Sequence, residues 1–126
     1  MNLDKVISGF FIILAMTLNF GFFYGDLADI GLHDKYELFA AIVVNVIATI
    51  LKLGDRTQMG SVLLATSLVA VIQLIAAASV WTIGINTVGI IDSGLSSIIV
   101  SLSGGALLAN ITSVFLYIGD TLKSRR

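Results

Sequence analysis

The sequence predicts an all-α fold, a four-transmembrane-helix bundle with N and C termini cytoplasmic, and three observations predict it. Charged residues make up 12% of the chain against 57% hydrophobic, and the mean hydropathy is +1.03. A soluble domain carries about a quarter of its residues as charges, so this chain cannot clothe a water-facing globule. The charges also cluster, leaving four uncharged or nearly uncharged stretches. Finally, the basic residues fall almost entirely on one side of a four-span arrangement. A chain of 126 residues then forms a single membrane domain, 1–126, since its halves would be too small to bury separate cores.

Crossing the hydrocarbon takes about 20 mostly apolar residues, which places the spans near 5–25, 36–53, 59–83 and 95–118. Val6 to Gly25 meets the length outright. It exceeds the apolar core of a signal peptide and lacks a small-x-small cleavage site, so it reads as a retained first span. Leu38 to Leu51 is short, and becomes long enough if Lys52 snorkels and Tyr36 anchors the other end. No charge appears from Thr57 to Ile91, which holds the third span comfortably. A turn-rich stretch with Gly84, Asn86, Gly89, Asp92, Ser93 and Gly94 precedes the fourth, Leu95 to Ile118. Between spans two and three, Asp55 followed by Gln58 reads as a helix N-cap signal.

Orientation follows from lysine and arginine. One side holds Lys5, Lys52, Arg56, Lys123, Arg125 and Arg126, and the other only Lys35. The Lys35 side also carries Asp26, Asp29, Asp34, Glu37 and Asp92. If Leu38–Leu51 failed to cross, Lys52 and Arg56 would be stranded on that acidic side, so the asymmetry supports the weak second span. Tyr24, Tyr36 and Trp81 fall at the outer boundary and Tyr117 near the inner one, as interfacial aromatics do.

Composition also excludes function classes. The basic C-terminal run is too short to grip phosphates, so no nucleic-acid partner is expected. The absence of cysteine removes disulfides, thiolate metal sites and redox chemistry, and the absence of proline removes proline kinks. No cofactor motif is present. Asp26, Asp29, His33, Asp34 and Glu37 lie close in sequence, but their spacing matches no recognised metal loop, and acidic residues outside are what topology already demands. An intramembrane enzyme would need a convergent nucleophile, acid or metal set, and His33 is the only histidine.

Two features carry the functional expectation. Ser97, Ser101, Gly105, Ala109 and Ser113 recur every fourth position and share one face of the last helix. Small faces let backbones approach closely in lipid, where hydrophobic drive between helices is weak. The stripe packs either on another helix of the same chain or at a seam between subunits. Gly21 and Gly25 make a shorter version on the first span. Each span also carries one amide: Asn19, Asn45, Gln73 and Asn110. An amide facing acyl chains is costly, so these form a polar interior that serves either interhelical hydrogen bonding or a path for an ion or solute.

The segments Leu18–Phe23, Tyr36–Asn45, Leu53–Gln58, Leu63–Ala70 and Ser103–Asn110 together resemble a family of small bacterial membrane proteins defined as a domain of unknown function, DUF6394. The resemblance implies a multi-pass protein of the bacterial cytoplasmic (inner) membrane and a place beside a potassium uptake system; it brings no activity with it. Val71 departs from the family pattern, which includes an acidic residue there. The sequence therefore predicts a non-enzymatic structural or accessory subunit, in the lipid bilayer, as a homo-oligomer or with a membrane-protein partner. The alternative is a homo-oligomeric pore lined by Asn, Gln, Thr and Ser.

Overall fold

In hydrocarbon every peptide group must bond within the chain, which favours helices over any open structure. The computed structural model, which describes residues 3–54 and 57–124, is helical in all four apolar stretches. They are α1 (Leu3–Phe23), α2 (Lys35–Lys52), α3 (Gln58–Thr87) and α4 (Ser93–Ser124), with a short 3-10 turn at Ile30–Leu32 between α1 and α2.

Local chemistry sets the boundaries. After α1, Gly25 takes a φ of +124°, which a residue with a β-carbon rarely adopts. Asp34 caps α2 by accepting from the Tyr36 N–H at 2.9 Å. Thr57 caps α3, its hydroxyl oxygen accepting from Gly60 N–H at 3.0 Å. That corrects the assignment of the cap to Asp55, which lies outside the described residues. The helix starts at Gln58, so the residue just before it does the capping. An Asp92 carboxylate oxygen accepts from Leu95 N–H at 2.8 Å at the head of α4. The Gly104-Gly105 pair does not interrupt that helix.

α1, α3 and α4 are each long and apolar enough to cross a membrane. α2 differs. Its 18 residues rise about 27 Å, slightly less than a hydrocarbon core of about 30 Å, and they include Lys35, Glu37 and Lys52. The expectation of four apolar helices is met in four helices, three of which have the composition of a span.

The helices close into a ring, with α1 against α2 and α4, and α3 against α2 and α4. Neighbours run antiparallel. The Tyr117 hydroxyl near the end of α4 donates to the Lys5 carbonyl near the start of α1 at 2.6 Å, so both described ends meet at one end of the bundle. That end also holds Lys52 and Lys123 and is the basic end. The acidic end gathers Asp26, Asp29, Asp34, Glu37 and Asp92, and there the Ser96 hydroxyl donates to the Leu27 carbonyl at 2.8 Å.

Phe22, Leu38, Ala41, Ala70, Leu74, Ala77, Ile99 and Ala106 form the apolar core. Phe22 is fully enclosed, its ring 6.0 Å from Trp81 and 5.5 Å from His33. The outer surface is equally apolar, with Phe10, Phe39, Ile72, Leu108 and Phe115 all exposed. An apolar exterior around an apolar core is the arrangement lipid permits and water does not.

Candidate functional site

Each helix buries one stripe at helical spacing, and polar residues sit on those stripes. On α1 the stripe is Gly9, Ile12, Ala15, Asn19 and Phe22. On α2 it is Leu38, Ala41, Asn45, Ala48, Thr49 and Lys52. On α3 it includes Gly60, Leu63, Ser67, Ala70, Leu74 and Ala77, and on α4 Ser96, Ser103, Asn110 and Ser113 are buried. Amides and hydroxyls therefore face the inside of one chain's own bundle.

Their hydrogen bonds are not those the sequence suggests. The Asn45 side chain donates to the Ala41 carbonyl of its own helix at 2.7 Å, and the Thr49 hydroxyl donates to the Asn45 backbone carbonyl at 2.8 Å. The Asn19 amide is enclosed with neither its nitrogen nor its oxygen bonded, and the Asn110 amide nitrogen is likewise unbonded. Cross-helix bonds come from other side chains. Thr66 on α3 meets Ser113 on α4 at 2.5 Å, and Lys52 on α2 donates through Nζ to the Ser67 hydroxyl on α3.

Lys52 corrects an expectation. It does not snorkel out to water; it turns inward and is only 7% exposed. Position 52 lies four residues beyond Ala48 and seven beyond Asn45, on the buried stripe, and Ser67 stands opposite as an acceptor. That periodicity is the signal that finds it. Lys52 and Ser67 have the residue types of a lysine-activated serine nucleophile. Ser67 is only 3% exposed, however, and neither residue lines any of the grooves described below.

Gln73 behaves unlike the other three amides. It sits one position off the buried stripe, beside Leu74, and is partly exposed. With Ser97, Ile98, Ser101 and Leu102 it lines an open groove of about 450 Å³ on the outside of α3 and α4. Gln73 is near the midpoint of a 30-residue helix, so this mostly apolar groove carries one amide and two hydroxyls at the depth where acyl chains would surround it. The side chain lies across Gly105, where an added β-carbon would land on the amide. The small-residue stripe thus has two halves. Ser113 is buried against α3, Ala109 packs on the core and Gly105 seats Gln73, whereas Ser97 and Ser101 open into the groove. A second groove, also about 450 Å³, runs between α2 and α3 near the acidic end, with Lys35, Tyr36, Phe39, Ala78, Trp81 and Thr82 in its wall.

The acidic loop is occupied with its own backbone. Asp26 accepts from Ala28 N–H and Asp29 from Gly31 N–H, at 2.9 and 3.0 Å. His33 is buried, with Nδ1 2.6 Å from the Phe22 carbonyl oxygen and Nε2 2.8 Å from that of Asp26. Among the described residues no three His, Asp or Glu side chains converge as metal ligands. Gly21 seats the Glu37 carboxylate, and Gly25 lies against His33. Gly21 in α1 and Gly25 just beyond it thus serve contacts with α2 and the loop.

The family model for a family of unknown function, DUF6394, matches residues 32–121, well over half of the chain. The chain belongs to the DUF6394 family. No curated protein matches it, and no solved structure does. The DUF6394 match takes in His33, Asn45, Lys52, Ser67, Gln73, Asn110 and the whole small-residue stripe. Asn19 and the Leu18–Phe23 segment lie outside it. The groove of Gln73, Ser97 and Ser101 and the Lys52–Ser67 bond are therefore both built from DUF6394 residues.

Proposed function

We propose that this DUF6394 protein is a non-catalytic membrane subunit that crosses the bilayer four times and assembles laterally through the outer face of α3 and α4. The observation that carries this reading is the Gln73, Ser97 and Ser101 groove at mid-helix on the outer surface. A polar amide at that depth is costly against acyl chains and favourable against a partner's hydrogen-bonding groups. Ser97 and Ser101 let a second helix approach closely enough to reach it. A second copy of the chain is the simplest occupant, because an amide both donates and accepts and so bonds to its own equivalent across a twofold axis. A bacterial inner-membrane setting, cytoplasmic termini and a place beside a potassium uptake system complete the proposal. The charge asymmetry supports the orientation, and the family resemblance suggests the partner.

The non-catalytic reading draws on the buried polar groups being mainly amides and hydroxyls, and on the one histidine spending both ring nitrogens on backbone carbonyls. The pore alternative has less support. Asn19, Asn45 and Asn110 face inward within a single chain, so they do not line a passage between subunits, and a fixed ammonium at Lys52 disfavours cations inside the bundle.

The chain lacks cysteine, so single cysteines give a clean test. In native membranes Ser101→Cys is expected to form a disulfide-linked dimer under mild oxidation, whereas Ile13→Cys, exposed on α1, is not. Equal cross-linking at both positions, or none at residue 101 with a monomer in native mass spectrometry, contradicts assembly through this face.

A further inference from the structure

Lys52 is the one buried residue with a full charge among the described residues, His33 apart, and no buried carboxylate accompanies it. An ammonium has three N–H donors, and a single described acceptor, the Ser67 hydroxyl, receives one. A charge removed from water and left without a counter-charge is strongly destabilising. Among the described residues no negative charge is buried with it.

A second, independent observation points the same way. The Asn110 amide nitrogen is buried without an acceptor, and the residue is 3% exposed. Register brings it to the level of Lys52, on the helix diagonally opposite. Ser67 holds the ammonium, the adjacent Thr66 meets Ser113, and Asn110 lies three residues before Ser113 on the same buried face of α4. α1 adds to this layer. Gly104 packs against Phe23 and Gly9 against Tyr117, a register that sets Asn19 within about one turn of the Asn110 level. Its amide, too, is unbonded. The unbonded buried groups at this level are thus two amide nitrogens and one amide oxygen, that of Asn19.

We propose that this interior binds a small monovalent anion of the halide class, held between the Lys52 ammonium and the Asn110 amide nitrogen, with the Ser67 hydroxyl alongside. A halide satisfies several N–H donors at once and neutralises the ammonium. Enclosure by Ser67 and Asn110, each 3% exposed, favours a compact ion over phosphate or a lipid headgroup. The site is separate from the α3–α4 outer groove, so it stands or falls independently of lateral assembly.

The test uses the full chain purified in nanodiscs, unfolded thermally in sodium chloride, bromide or gluconate at equal ionic strength. The wild type is expected to unfold roughly 5 °C higher in saturating chloride or bromide than in gluconate. Lys52→Met is expected to lose that difference, and Lys5→Met, at an exposed position, to keep it. Chloride NMR line broadening, displaced by bromide, should follow the same pattern. Equal wild-type midpoints in all three salts overturn the proposal, and so does an unchanged halide effect in Lys52→Met. If Lys52→Met does not fold, wild-type crystals soaked in bromide decide: anomalous density beside Lys52 Nζ supports the site, and its absence overturns it. A phosphate or anionic-lipid effect without a halide effect likewise overturns it.

Discussion

Ser67→Val destabilises the bundle by about 2–3 kcal/mol, because it strips a buried ammonium of its hydroxyl acceptor and hydrogen bonds to charged groups are worth about 1.5–3 kcal/mol. Valine also adds a methyl group at a site only 3% exposed, so Ser67→Ala, which removes the hydroxyl alone, separates the lost bond from overpacking. Lys52→Met behaves differently. Replacing buried ionic groups by apolar side chains of similar volume is often neutral or stabilising, and in halide-free buffer, where the ammonium has no counter-ion, Lys52→Met should leave stability unchanged or raise it. The double variant should then recover most of what Ser67→Val loses. Reversible unfolding in mixed micelles measures all four. Equal costs for Ser67→Val and Lys52→Met would mean that Lys52 contributes by packing rather than through the Ser67 bond.

The second large effect is at Gly105. Leucine there is expected to cost about 2–3 kcal/mol, the upper range for overpacking a close contact, and to expel Gln73 from its seat. Alanine is expected to cost less than about 1 kcal/mol, because the three atoms nearest its β-carbon belong to the flexible tip of Gln73. Adding Gln73→Ala to Gly105→Leu should restore part of the stability. The same experiment reads assembly, since an expelled Gln73 alters the groove it shares with Ser101. Thermal stability and the yield of the residue-101 cross-link should fall together.

How far the sequence determines this molecule can be judged residue by residue. Helix positions were legible, because charge spacing and cap residues mark where hydrocarbon-length coils must stop. Asp34 and Asp92 cap as their types suggest, and only Thr57 displaces the expected Asp55. The inward direction of Asn19, Asn45 and Asn110 was also legible, for each lies at helical spacing from apolar neighbours that are buried with it. Their bonding was not. Whether an amide finds a partner depends on the register between helices, and one-dimensional periodicity is silent on register. Lys52 shows the same limit from the other direction. A lysine at a helix end ordinarily reaches for water, and only its phase with Ala48 and Asn45, read together with a serine on another helix, indicates that it turns in. Gln73 departs from the polar interior expected for all four amides: Leu74 holds the buried position, leaving Gln73 at the margin.

The weakest element of the architecture is also the most consequential. α2 carries charge at both ends, yet the orientation of every other element and the compartment of both termini depend on its crossing. The decisive measurement is cysteine accessibility in intact cells, with single substitutions at Leu32 and Gly89 at the acidic end and Leu53 and Leu122 at the basic end, all exposed. A membrane-impermeant maleimide added outside should label residues 32 and 89 directly, and residues 53 and 122 only after permeabilisation. Labelling of residues 32 and 53 from the same compartment would mean that α2 does not cross, and would contradict the four-span account.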